Sequence, residues 1–228
     1  MARLPRIPDL LTTANLCCGL GSILLASQGQ LTLACWLVFA GAVFDVFDGL
    51  AARALGGGSP LGAQLDSLAD MVTFGVAPAF VLFNTASWLS GTAPGWTVYQ
   101  PLSAIPEQLD RTSWPLYLSA MTLVVASCWR LAKFNIDTRQ THGFLGLPTP
   151  ANGLFWVALV LAANAVAIRT GPGHRALEEL VVSLFAAPYA LLVSSVMMAA
   201  LMLSELPLPG LKFKHFQWRG NEVIFLLG

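Results

Sequence analysis

Six stretches of this chain, 9–27, 31–54, 62–89, 114–136, 152–169 and 179–203, are apolar over roughly the length needed to cross a bilayer. A spanning helix takes about 20 predominantly apolar residues. Backbone amides find no water in hydrocarbon, so apolar runs of this length are confined to helices that satisfy their own hydrogen bonds. Composition agrees, because 56% of the 228 residues are hydrophobic and only 11% are charged, whereas soluble domains carry about 25% charged residues. The expected fold is an all-α polytopic membrane protein with about six transmembrane helices. Arg3 and Arg6 ahead of an apolar run also fit a secretory signal peptide, but Thr12, Thr13 and Asn15 interrupt that run. A proline beside its start suits a helix N-terminus instead.

The connections are short except for 90–113, which is rich in Pro and Gly. Trp88, Trp96, Tyr99, Trp114 and Tyr117 cluster around it, as amphipathic rings do at a membrane interface. The absence of internal repeats and low-complexity tracts points to one membrane domain, 1–204. A more polar tail, 205–228, closes on "VIFLLG", which is too short to span and reads as the opening of a further hydrophobic segment. With six spans and the N-terminus inside, the cytoplasmic side carries Arg3, Arg6, Arg53, Arg130, Lys133, Arg139, Lys212, Lys214 and Arg219. The outside carries only Arg111, Arg169 and Arg175, so the excess of basic residues favours both termini in the cytoplasm. The formal net charge is zero, and no nucleic-acid partner is expected. Cys17, Cys18, Cys35 and Cys128 lie in apolar stretches without CxxC spacing, so free, buried thiols are expected rather than a disulfide or zinc site. His142, His174 and His215 fall in loops or the tail, without partners at metal spacing.

Against this background the stretch 45–70, "DVFDGLAARALGGGSPLGAQLDSLAD", holds four aspartates. One aspartate at the centre of a spanning helix costs about 2.5–3.5 kcal/mol on insertion scales, so four must lie near the interface, be paired, or bind cations. Asp45 and Asp48 are three residues apart and Asp66 and Asp70 four apart, so each pair shares a helix face. Gly49 and Ala52 fall on the face of the first pair, and Gly62 lies one turn before Asp66. Small side chains beside paired acids describe a pocket that something bulky approaches closely. The glycine-rich turn "LGGGSPLG" is tight enough to make the second and third segments antiparallel neighbours, which would bring the four carboxylates together at the cytoplasmic end. All-oxygen ligand sets select hard cations such as magnesium, manganese or calcium. Two such ions bridged by acids are a recurring device in phosphoryl transfer, and an acid left over can take a proton from a hydroxyl nucleophile. A proton or sodium pathway in an ion-coupled transporter would also use intramembrane acids, and this chemistry alone leaves both readings open.

The spacing D-x2-D-G-x2-A-R-x8-G-x3-D-x3-D is met by Asp45, Asp48, Gly49, Ala52, Arg53, Gly62, Asp66 and Asp70. By that pattern the chain resembles the CDP-alcohol phosphatidyltransferase family. The stretches "IPDLLTTANLCCG", "FGVAPA" at 74–79, "RLAKFN" at 130–135 and "GFLGLPTPANG" at 143–153 are similar to its phosphatidylserine synthase branch. Where that branch usually reads "ARFN", Lys133 stands here in place of an arginine and lacks the bidentate fork.

The resemblance implies a six-helix enzyme, usually a homodimer in the cell inner membrane with its site facing the cytoplasm. It would move a phosphatidyl group from CDP-diacylglycerol to an alcohol and release CMP. By position, Asp45, Asp48 and Asp66 would hold two Mg2+ or Mn2+ ions, with Asp70 beside them as further ligand and catalytic base. Gly49, Ala52, Arg53 and Gly62, with Thr12 and Asn15 of the first segment, would contact the nucleotide and its diphosphate. L-serine is the acceptor implied, met by Arg130, Lys133, Asn135, Thr149 and Asn152. A zwitterion needs a cation for its carboxylate and polar or acidic groups for its ammonium, and Arg130, Lys133, Asn135 and Asp137 offer both. With Arg139 also close, inositol phosphate or glycerol phosphate stays open as the acceptor.

Overall fold

In the computed structural model, residues 6–57, 59–90, 114–136, 144–168 and 175–208 are described. The connection 91–113, with Trp96 and Tyr99, and residues Asp137, Arg139, His142 and His174 lie outside the described residues, as does the tail from 209. The chain folds as α1 (Ile7–Ser27), α2 (Leu31–Ala54), α3 (Pro60–Asp70), a π-helical turn (Met71–Val76), α4 (Ala77–Leu89), α5 (Trp114–Ile136), α6 (Thr149–Ile168), α7 (Arg175–Ala186) and α8 (Pro188–Leu203). The one extended element among the described residues is an antiparallel pair of two-residue strands, β1 (Phe144–Leu145) and β2 (Pro207–Leu208). The all-α expectation therefore holds.

Local chemistry sets the ends of the helices that build the site. At the start of α1 the Arg6 N–H donates to the Asp9 carboxylate at 2.9 Å, satisfying one of the amides that a helix start leaves over. The turn into α2 uses Gly29 at φ +76°, a left-handed conformation that costs glycine little. Ser59 caps α3 by accepting from Gly62 N–H at 2.9 Å, with Pro60 in the first turn. The π turn has a cause in Pro78, which lacks the N–H that would bond the Phe74 carbonyl in a regular helix. α6 closes over that irregularity at Gly153, where a Cβ would stand 2.7 Å from the Phe74 oxygen.

The third span, Pro60–Leu89, is the centre of the molecule: 56% of its apolar window is buried, against 28% for α1 and for α2. Helices α1, α2, α5 and α6 pack around it through Phe74, Ala77, Val81 and Leu82, with Trp156 and Val160 from α6. Outward faces keep large apolar side chains, such as Trp36, Val46 and Phe47 on α2 and Trp129 on α5, as suits contact with lipid.

The count of six spans is not reached among the described residues, and the expected burial of the cysteines is corrected. Among the described residues four helices are long and apolar enough to span, or five if one bent pair counts as a single span. The expected sixth span, 179–203, bends by 98° between Leu180–Ala186 and Pro188–Leu203. Ala187 is extended there (φ −105°, ψ 94°), because the residue before a proline is driven out of the helical region. α6, Thr149–Ile168, has 20 residues, about the length of a span. All four cysteines are free as expected, but only Cys35 is buried; Cys17 and Cys128 are exposed on outward helix faces.

Candidate active site

The carboxylates converge as the spacing required. Asp45, Asp48 and Asp66 each present one oxygen, and these oxygens all lie within 4.8 Å of one another. Asp48 is buried, and its Oδ2 accepts from the Thr12 hydroxyl at 2.6 Å. One oxygen of Asp66, Oδ1, is buried without a hydrogen-bond partner in the protein. A buried carboxylate oxygen left unpaired beside two other acids is an unfavourable arrangement for the protein alone. A hard divalent cation resolves it, so these residues fit a metal site.

Asp70 stands one turn further along and is not part of that triad. It is buried, and its Oδ1 accepts from the Asn15 amide at 3.1 Å. The second and third segments are neighbours as expected, with α2 meeting the third through the π turn and α4 rather than through α3. α2 and α3 both pack along α1 but hardly touch each other. A cleft of about 200 Å³ separates them, lined by Arg6, Pro8, Asp9, Thr12, Asp48, Gly49, Ala52, Gly57, Ser59, Gly62, Ala63 and Asp66. Gly49, Ala52, Gly62 and Ala63 are the reason it stays open, since larger side chains would fill the gap between the acids. Four residues from the expected nucleotide set, Thr12, Gly49, Ala52 and Gly62, therefore share one cleft with two of the acids. Arg53 is exposed beside it, its Nη1 3.8 Å from where a Cβ on Gly49 would be. Asn15 is buried below, outside the lining.

The residues expected at the acceptor divide between two helices. On α5, Arg130 is buried with its guanidinium carbon 5.6 Å from the Phe134 ring centre, while Lys133 and Asn135 are exposed. Asn135 Oδ1 accepts from the hydroxyl of Ser67, the neighbour of Asp66, at 3.0 Å. Further along, a Cβ on Gly75 would stand 3.0 Å from the Cβ of Ser127. Eight residues separate Ser67 from Gly75 and eight separate Ser127 from Asn135, so the segments run antiparallel in register. That register brings Arg130 level with Val72, within a turn of Asp70. On α6, Thr149 and Asn152 are both buried. Asn152 Oδ1 accepts from Trp156 Nε1 at 3.1 Å, whereas the Thr149 hydroxyl has no hydrogen-bond partner in the protein.

Several neighbours of the site were not singled out from the sequence. Asp9, Ser59 and Ala63 line the cleft, Ser67 bonds Asn135, and Thr73 donates to the Asn15 carbonyl oxygen at 3.0 Å. Only Ser59-Pro60 carried a sequence signal, as a helix cap.

The family model for CDP-alcohol phosphatidyltransferase matches residues 6–208. The chain belongs to the CDP-alcohol phosphatidyltransferase family. It is 33% identical over 165 residues to the CDP-diacylglycerol–serine O-phosphatidyltransferase of Bacillus subtilis (strain 168), covering 72% of this chain and 81% of that one. The protein of the same name from Helicobacter pylori (strain 26695) is 30% identical over 222 residues, covering 96% of this chain and 77% of that one. Among solved structures, phosphatidylinositol phosphate synthase of Mycobacterium tuberculosis with CDP-DAG bound aligns with a TM-score of 0.47 and 20% identity. That alignment covers 88% of this chain and 92% of the other, a likeness too weak to bear on the acceptor. Family membership decides between the two readings that the acids left open, in favour of phosphatidyl transfer over ion-coupled transport. The protein is a multi-pass membrane enzyme of this family, with an acidic cluster suited to divalent metal.

Proposed function

We propose that this enzyme transfers the phosphatidyl group of CDP-diacylglycerol to the hydroxyl of L-serine, giving phosphatidylserine and CMP. The observation that carries the proposal is the convergence of Asp45, Asp48 and Asp66, two of which line a cleft kept open by Gly49, Ala52, Gly62 and Ala63. A nucleotide diphosphate can approach closely at these small residues, and its charge would arrive where the acids would hold cations. Asp45, Asp48 and Asp66, with Asp70 nearby, would hold two ions, Mg2+ or Mn2+, which when bound neutralise the donor's diphosphate.

The chain's own groups then divide the remaining work. Thr12 fixes the Asp48 carboxylate through its 2.6 Å hydrogen bond. Gly49, Ala52 and Gly62 admit the nucleotide, and Arg53 at the rim meets its phosphates. Asp70 takes the proton from the serine hydroxyl, whose oxygen forms the new bond to the lipid-bearing phosphorus as the bond to CMP breaks. Arg130, within a turn of that acid, pairs with the serine carboxylate, while Lys133, Asn135, Thr149 and Asn152 bound the acceptor pocket. Serine is favoured over a phosphorylated acceptor by the names of the curated relatives and by the burial of a single cation, Arg130, among the described acceptor residues. By its basic residues and its family resemblance, the enzyme works as a homodimer in the cell inner membrane with the site facing the cytoplasm.

The test is CMP release from CDP-diacylglycerol by the purified protein with manganese, comparing serine, inositol phosphate, glycerol phosphate and no acceptor. Asp70→Asn runs beside the wild type. Release that requires serine and metal and disappears in the variant supports the proposal. Release with another acceptor moves the substrate, and no release with any acceptor removes the reading.

A further inference from the structure

Thr12 and Asn15 stand one turn apart on α1, yet they have different partners. Thr12 lines the cleft and bonds Asp48. Asn15 is fully buried, lies outside the cleft lining, and gives its amide N–H to Asp70 Oδ1. Its backbone oxygen accepts from the Thr73 hydroxyl at 3.0 Å. Asp70 and Thr73 are three residues apart on one face, so this turn of the third span grips a single residue of α1 twice. Thr73 reaches that position because two glycines leave it room. A Cβ on Gly19 would stand 2.5 Å from Thr73 Oγ1, and one on Gly41 would stand 2.6 Å from its Cγ2. The same Cβ on Gly41 would come within 2.9 Å of Asn15 Oδ1. The donor end of the amide is turned to Asp70, while its oxygen is buried beside Gly41 without a hydrogen-bond partner in the protein.

We infer that Asn15 is a positioning residue for Asp70, set at its height by the Thr73 hydroxyl, and is not a ligand of the nucleotide. The inference rests on Asp70 acting as the base in the reaction proposed above. By engaging one carboxylate oxygen, Asn15 fixes the rotamer of Asp70 and assigns the other oxygen to the acceptor hydroxyl. It acts through Asp70, because its amide N–H is committed to that carboxylate. Thr73 acts one step further back, by docking the α1 backbone against the π turn.

The experiment is steady-state CMP release with manganese for wild type, Asn15→Ala, Thr73→Ser and Thr73→Val, varying CDP-diacylglycerol and serine separately. Thermal unfolding in detergent is measured on the same preparations. Misplacing a reacting group by about 1 Å costs on the order of 100-fold, so Asn15→Ala should lose about 10- to 100-fold in kcat. Its KM for CDP-diacylglycerol should stay unchanged. Thr73→Ser keeps the hydroxyl and should keep kcat, whereas Thr73→Val should fall with Asn15→Ala. A folded Asn15→Ala with a raised KM for CDP-diacylglycerol and an unchanged kcat would make Asn15 a nucleotide ligand and overturn the inference. Equal losses in Thr73→Ser and Thr73→Val would reduce the junction to packing, and this pair decides the matter if Asn15→Ala does not fold. Failure of the underlying reaction looks different: wild type then releases no CMP, or Asp70→Asn keeps full activity, and both readings fall together.

Discussion

Replacing Asp66 by Asn should stabilise the metal-free protein while abolishing most of the stabilisation that metal gives. The three carboxylate oxygens lie within 4.8 Å of one another. At an effective dielectric of about 20, two unit charges at that separation repel by about 3.5 kcal/mol. Asp66→Asn removes two of the three pairs, or about 7 kcal/mol before the side chains relax. The new amide can also donate to Asp45 or Asp48. Rotation of the carboxylates away from one another absorbs most of this difference. Even 1 kcal/mol that survives raises Tm by about 2–4 °C in a chain of this size. With manganese the sign reverses, because a ligand present at 100 times its Kd stabilises by about 2.7 kcal/mol and the variant forfeits a ligand oxygen. The assay is thermal unfolding in detergent, with chelator and then with a manganese titration, on wild type and variant. If the variant is no more stable than wild type in chelator and gains as much from manganese, the acids are not a repulsive metal cage and the reasoning fails.

Three further outcomes follow from the geometry. Thr12→Val removes the 2.6 Å donor to Asp48, and loss of such an outer-shell partner should raise the half-saturating manganese concentration about 10- to 100-fold; an unchanged titration of CMP release would refute it. Gly19→Ala drives a Cβ to 2.8 Å from the Thr73 Cα, so it should cost about 1–3 kcal/mol by overpacking against backbone. Gly29→Ala has φ +76° but nothing within 4 Å and should cost only the left-handed conformation, about 1–2 kcal/mol; chemical or thermal unfolding compares the two, and activity should fall in Gly19→Ala alone. Arg130→Ala removes a buried cation and should raise KM for serine about 10- to 100-fold, the worth of a charged hydrogen bond. Lys133→Ala, exposed, should change it little, and equal effects of the two in acceptor titrations would contradict the placement of the acceptor.

The acids were legible because helical periodicity and bilayer energetics act on sequence directly. Apolar length fixed where helices must run, and the three- and four-residue spacings put each aspartate pair on one face. An acid in hydrocarbon must be compensated, so a metal site could be inferred without coordinates. Apolar length did not show where a stretch bends. In 179–203, Pro188 carries a local conformational preference that turns the chain by 98°.

What the sequence by itself determined, then, was the helical membrane class, the acidic motif and the residue types of the site. Only the tertiary structure decided which helices share it. Adjacency in sequence made the second and third segments neighbours, but only the fold showed α2 meeting the π turn and α4 while α3 packs on α1 and leaves the cleft between. Only the fold gave Asp70 Asn15 as a partner 55 residues away. Such contacts depend on where glycines let backbones approach, as at Gly19 and Gly41 around Thr73. The absence of a side chain carries no periodicity of its own. Its meaning appears only when another helix fills the space.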